Sequence, residues 1–87
     1  MEDFVCYIAE MQDLVFSYNF KKVDETFLDK IYLWENIVPE VPQDKLEEFN
    51  QIMLNVFSAR QKHDYLLQAD LFEYEVKPFL EMIAKDN

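Results

Sequence analysis

The chain has 87 residues, 51% of them hydrophobic and 16% aromatic, which is enough for one small core and too apolar for a disordered segment. It contains no glycine, which excludes phosphate-cradling loops and dinucleotide folds and points to an all-α protein. Eighteen acidic against eight basic residues give a net charge of −10, a surface that repels nucleic-acid phosphates and anionic membranes and favours a basic partner.

The first helix is expected over 2–18. Phe4, Ile8, Met11, Val15 and Tyr18 recur at helical spacing. Glu2 and Asp3 fall in the first turn, where carboxylates suit the helix dipole. Asn19 reads as its C-cap. Cys6 sits beside Val5 and Tyr7 on this helix and reads as a half-buried, inert thiol. The second helix is expected over 24–38, with Asp24 as N-cap and Phe27, Ile31, Trp34 and Val38 as its stripe. The joint between the two holds neither Gly nor Pro, so they could run nearly continuously.

Pro39 and Pro42 end the second helix, because proline disfavours helix in the residue before it and removes a backbone donor. The IVPEVPQ stretch reads as a rigid connector. Asp44 followed by Glu47 resembles a capping box for a third helix over 44–62, with Leu46, Phe49, Met53 and Val56 inward. A fourth is expected over 64–84, capped by Asp64. Its stripe is Leu67, Leu71, Tyr74 and Pro78, and Pro78 should kink it. Four amphipathic helices with short joints make a single domain, 1–87, of small antiparallel four-helix-bundle type. A helical hairpin that pairs with a second copy is the alternative.

The segment KHDYLLQADLFEYEVKPFLEMI holds the single histidine, His63, and five carboxylates. One histidine without a Glu-x-x-His pair does not make a di-metal bundle site, so neither metal nor cofactor is expected. Glu73 and Lys77 stand at i,i+4 in the favourable order, and the remaining acids are expected to face water. Ser17, Ser58 and Thr26 lack a nucleophile-elbow setting, and Cys6 lies far along the chain from His63. No catalysis is expected. The single cysteine excludes an intramolecular disulfide and suggests a reducing, cytoplasmic setting. The acidic start lacks the pattern of a secretory signal, and no apolar run approaches a membrane span.

Phe16, Phe20, Tyr32, Leu33, Leu54, Phe57 and Phe72 do not all fit the main stripes. Surplus aromatics on an acidic chain suggest an interaction surface for a protein partner of basic character, or for a second copy. Tyr32, Trp34, Phe57 and Phe72 are the expected interface anchors, since Trp and Tyr commonly dominate interface energies. The expected function is therefore a small acidic interaction module of the chaperone, antitoxin, immunity-protein or regulator type. A DNA mimic that blocks a basic nucleic-acid-binding groove is the alternative. It needs carboxylates in rows, and here they are spread over all four segments.

Overall fold

The computed structural model describes residues 2–85. Among them there is no strand. The helices are α1 (Glu2–Phe16), α2 (Phe20–Asp29), α3 (Tyr32–Ile37), α4 (Leu46–Gln61), α5 (Tyr65–Leu71) and α6 (Lys77–Lys85). Short 3-10 turns at Val38–Glu40 and Gln43–Lys45 carry the chain past the prolines, and a π turn, Phe72–Val76, joins α5 to α6. α1 packs against α2, α3 and α5, and α4 lies along α5 and the π turn.

Trp34 stands at the centre of the core and is 1% exposed. Its ring meets Phe4 edge-on at 4.9 Å and Phe57 at 5.5 Å, with Tyr7, Phe49 and Phe72 at 6.3, 6.3 and 6.2 Å. Its Nε1–H donates to the Tyr7 hydroxyl at 3.2 Å, so the one polar atom of the ring is satisfied inside. Burial pushes the Tyr7 phenol up to about 12, assisted by the Glu10 charge and opposed by the bond from Trp34.

The expected second helix is two helices. It begins earlier, at Phe20, and breaks at Lys30, whose φ of −115° and ψ of 18° leave the helical well. Leu33 and Trp34 then donate to the carbonyls of Lys30 and Ile31 in 3-10 fashion. The break shifts the phase of the apolar face. A straight helix would bury Ile31 and Val38; instead both are exposed, and Leu33, Trp34 and Ile37 turn inward. Asp24 therefore lies inside α2 rather than at its cap, and Asn19 is the N-cap without a side-chain bond.

Both interhelical corners next to α1 and α4 close without glycine. Tyr18 N–H donates to Val15 O and Asn19 N–H to Leu14 O; His63 N–H donates to Arg60 O and Asp64 N–H to Ala59 O. These are two Schellman motifs, and their left-handed positions are held by Tyr18 (φ 59°) and His63 (φ 55°). Tyr18 thus ends outside the core, not on the α1 stripe. The Asp64 side chain caps α5 through Leu67 N–H at 3.2 Å, as expected from the sequence. The capping box at Asp44 does not form; Lys45 is the N-cap of α4 and makes no side-chain cap bond.

The last helix buries a different face from the one expected. Pro78 has no N–H to give to the Tyr74 carbonyl, and its ring crowds that oxygen. One turn earlier the ladder widens, and Lys77 N–H bonds to Phe72 O, five residues back. The buried face becomes Gln68, Ala69, Phe72, Val76, Phe79, Leu80 and Ile83, while Leu67 and Tyr74 face outward. Gln68 is fully buried, and neither its Oε1 nor its Nε2 has a hydrogen-bond partner within the protein.

Two stability outcomes follow from these strained or unsatisfied positions. Gln68→Met removes two unpaired polar atoms at nearly constant volume and should stabilise the fold by about 1–3 kcal/mol, read from urea unfolding followed by circular dichroism. A loss of stability would mean that the amide is satisfied in solution. Tyr18→Gly should relieve a left-handed strain of about 1 kcal/mol and raise the melting temperature by about 4–8 °C, since the ring it removes is mostly exposed. A lower melting temperature would show that its edge contact with Phe20 matters more than the strain.

Candidate docking surfaces on the two sides of α4

The expected interface anchors separate into two groups. Trp34 and Phe72 are core residues, each 1% exposed, and are not on a surface of this fold. Trp34 lies on the expected stripe of its helix, and Phe72 falls on the face that Ala69, Val76 and Ile83 bury. Tyr32 is exposed and Phe57 is half-buried. The other surplus apolar residues divide in the same way: Leu33 is buried, Phe20 is half-buried, and Phe16 and Leu54 are exposed.

Phe57 forms part of a groove of about 610 Å³ between α4 and the α2–α3 junction. Its floor is Phe27 and Phe57, packed edge to face at 5.3 Å. Leu28 and Leu54 rise on opposite walls and are more than half exposed, at 56% and 58%, and Ile31 is exposed beside them. Leu28 stays outside because α2 buries Val23, Thr26 and Phe27, and Ile31 because the break at Lys30 turns the next apolar pair inward. Leu54 stays outside because α4 buries Phe49, Ile52, Val56 and Ala59. Among the described residues no carboxylate lines the groove. By helix register, exposed Glu25 precedes Leu28 by one turn, Glu35 follows Ile31 by one turn, and Glu47 precedes Leu54 by two. The groove is thus an apolar strip with acids at its margins.

Arg60 closes one end. Its guanidinium lies 5.4 Å from the centre of the Phe27 ring. Its Nε is 4.0 Å from Asp24 Oδ1, too long for a hydrogen bond, and neither of these sheltered atoms has another partner. Asp24 Oδ2 accepts from the Tyr65 hydroxyl at 2.9 Å, and burial together with that bond raises the Tyr65 phenol above its ordinary value. His63 Nδ1 is 3.2 Å from the same hydroxyl and 3.8 Å from the Asp24 carboxylate. Tyr65 stacks on Phe20 at 4.4 Å. This corner ties the α4–α5 turn to α2 and holds the groove's end in place. His63 therefore has a structural setting: Asp70 is exposed, and Asp24 is the acid that His63 approaches.

On the other side of α4 lies a cleft of about 400 Å³, bounded by the π turn and α6. Glu73, at the outer edge of the π turn, bonds Lys77 Nζ at 2.9 Å, the i,i+4 pair read from the sequence, and also accepts from Gln12 Nε2 at 2.9 Å. Gln12, a polar residue off the Phe4–Val15 stripe, is buried by this contact. Cys6 is exposed rather than half-buried. Among the described residues no group of three or more His, Cys, Asp or Glu side chains could hold a metal ion, and no helix is long and apolar enough to cross a membrane.

Comparison with protein-family models, with curated proteins and with solved structures finds no match for this chain.

The bonds from Lys77 and Gln12 hold the Glu73 carboxyl below its ordinary value of 4.5. Its contribution to stability is complete above that value and is lost as pH falls through the lower folded-state value. Wild type and Glu73→Gln should therefore differ by a constant amount near neutral pH and converge in acid. Urea unfolding between about pH 3 and 7 measures this. A difference independent of pH would remove the role assigned to the carboxylate charge.

Proposed function

We propose that the chain is an acidic, non-catalytic protein-interaction module whose α2–α4 groove takes the apolar face of a basic amphipathic helix. The observation that carries this reading is the strip of exposed Leu28, Ile31 and Leu54 over Phe27 and Phe57. Helix-in-groove recognition uses such a strip, with anchors at i, i+3, i+4 and i+7 of the incoming helix. The partner's basic residues would meet Glu25, Glu35 and Glu47 at the margins, within a total charge of −10. The same charge argues against a second copy as occupant, because two such chains repel each other at low salt. The reading takes the molecule as a monomeric antiparallel four-helix bundle in which α2 and α3 form one broken arm and α5 to α6 another. The lone cysteine favours a reducing, cytoplasmic setting.

A fluorescein-labelled, 18-residue amphipathic peptide of Leu and Lys is a suitable probe, read by anisotropy at two salt concentrations. Loss of an anchor costs about 2 kcal/mol or more, so a Leu28→Ser, Leu54→Ser double variant should bind at least ~30-fold more weakly, with an unchanged circular dichroism spectrum. Phe16→Ser, an exposed apolar position outside the groove, should bind as wild type does. Equal affinity of the groove variant overturns the reading. So does a concentration-dependent dimer in light scattering that the groove variant abolishes, since the occupant would then be a second copy.

A further inference from the structure

The α2–α4 groove has unlike ends. Its walls run antiparallel: Asp24 faces Arg60, Phe27 packs on Phe57, and Trp34 reaches Phe49. The start of α2 therefore lies beside the end of α4, and the start of α4 beside α3. The dipoles of α2 and α4 point in opposite directions and largely cancel, so side-chain charge sets the field along the groove. Arg60 is the one charged side chain that lines the groove among the described residues. It is 26% exposed, and its guanidinium is seated by the Phe27 ring. At the same end Lys21 precedes Leu28 by two turns, and Lys62 follows groove-lining Ser58 by one; both lysines are exposed. The acids nearby are already offset: Asp24 accepts from Tyr65, Asp64 caps α5, and Glu25 has Lys21 and Lys22 one turn behind it. The opposite end is acidic. Exposed Glu35, Asp44, Glu47 and Glu48 stand there against half-buried Lys45, and Lys30 is bonded to Glu10.

We propose that this difference fixes the direction of the docked helix. It runs parallel to α4, with its N-terminal end and its basic residues at Glu35 and Glu47 and its C-terminal end at Arg60. A helix carries partial positive charge at its N-terminus and partial negative charge at its C-terminus. The parallel direction sets both ends against opposite charge, and the reverse sets both against like charge. The fitting partner is thus a helix whose Lys and Arg residues lie in its first half. A uniform charge of −10 would attract any basic helix without choosing its direction. Lys21, Arg60 and Lys62 make that choice by repelling a basic C-terminal half. Arg60 contributes most, because a half-buried charge is screened less than an exposed one.

The inference rests on the reading of the groove as a helix-binding site, and its test separates the two. The probe is a 15-residue peptide, about 22 Å long as a helix and so matched to α4 from Glu47 to Lys62. It has Leu on one face, Lys in its first half and Gln in its second. A nitroxide amino acid at its first or its last position reports direction on the uniformly 15N-labelled chain. The N-terminal label should broaden the amide signals of Glu35 and Glu47 and spare those of Lys21 and Lys62, and the C-terminal label should do the opposite. In anisotropy at low salt, the free-acid peptide should bind about three- to tenfold more tightly than its C-terminal amide, the range that a few exposed ion pairs supply. The free carboxylate weakens the peptide's own helix, so helicity does not account for a gain. A Lys21→Gln, Lys62→Gln double variant, changed only at exposed positions, and Arg60→Gln should each reduce that preference and leave the amide form bound at least as tightly. Broadening of both ends by either label, the reversed pattern, or an acid preference unchanged in both variants overturns the proposal and leaves the groove reading standing. Absence of binding by either form overturns the groove reading and the direction with it.

Discussion

The fold depends on placing one large ring, Trp34, where α1, α4 and the π turn can all reach it. Its neighbours come from α1 (Phe4, Tyr7), α4 (Phe49, Phe57) and the π turn (Phe72). In a small domain the core has few layers, and an aromatic that removes roughly 150–250 Å² from water is a large share of the driving force. The ring also carries a donor, which must not be stranded, and the Tyr7 hydroxyl meets it. Other backbone departures serve this arrangement. The break at Lys30 turns α3 so that Leu33 and Ile37 face inward on either side of Trp34, and the Lys30 ammonium holds the broken end to Glu10 at 2.8 Å.

A chain without glycine meets its geometric needs by other means. Two helix ends adopt left-handed Schellman turns on Tyr18 and His63, at some conformational cost. Both residues then join one surface series of rings: Tyr18 edge-on to Phe20, Phe20 stacked on Tyr65, and Tyr65 beside His63. The contacts offset part of the backbone strain and clamp the α1–α2 corner to the α4–α5 corner. The proline inside the last helix is handled in the same local manner. Rather than ending the helix, it is preceded by a wider turn that keeps the apolar face continuous on both sides.

Much of α1 and the helical class were legible in the sequence because strict spacing and dense apolar content leave a helix little choice of face. Phe4, Ile8, Met11 and Val15 are buried as their spacing indicates, and the Asp64 cap forms. The losses come from phase. Periodicity assumes one unbroken helix, so a single non-helical residue at Lys30 moves the buried set from Ile31 and Val38 to Leu33 and Ile37. In the last arm the buried face runs through Ala69, Phe72, Val76 and Ile83, not through Leu67 and Tyr74. Pro78 marked the disturbance but not its form, since a kink and a widened turn share the same cause. Gln12 and Gln68 were invisible as interior residues because burial of an amide is decided by tertiary partners. Gln12 finds Glu73, 61 residues away. Half of the interface reading failed for the same reason as the phase: composition can count aromatics in excess but cannot say which of them the turns will bring inside.

The two sides of α4 show how a strongly acidic chain can still make selective surfaces. Uniform negative charge steers any cation toward it and distinguishes poorly between them. Discrimination needs places where charge is either withdrawn or desolvated. The α2–α4 groove withdraws it: carboxylates stand at the margins, and an apolar face is required to fill the strip. Beside the π turn it is desolvated: one Glu75 carboxylate oxygen is removed from water without a partner inside the protein. The α2–α4 groove keeps its apolar wall because the break at Lys30 leaves Ile31, which a regular helix would have buried, outside beside α4. The break that turns Leu33 and Ile37 inward beside Trp34 is thus the same one that leaves Ile31 and Val38 at the surface.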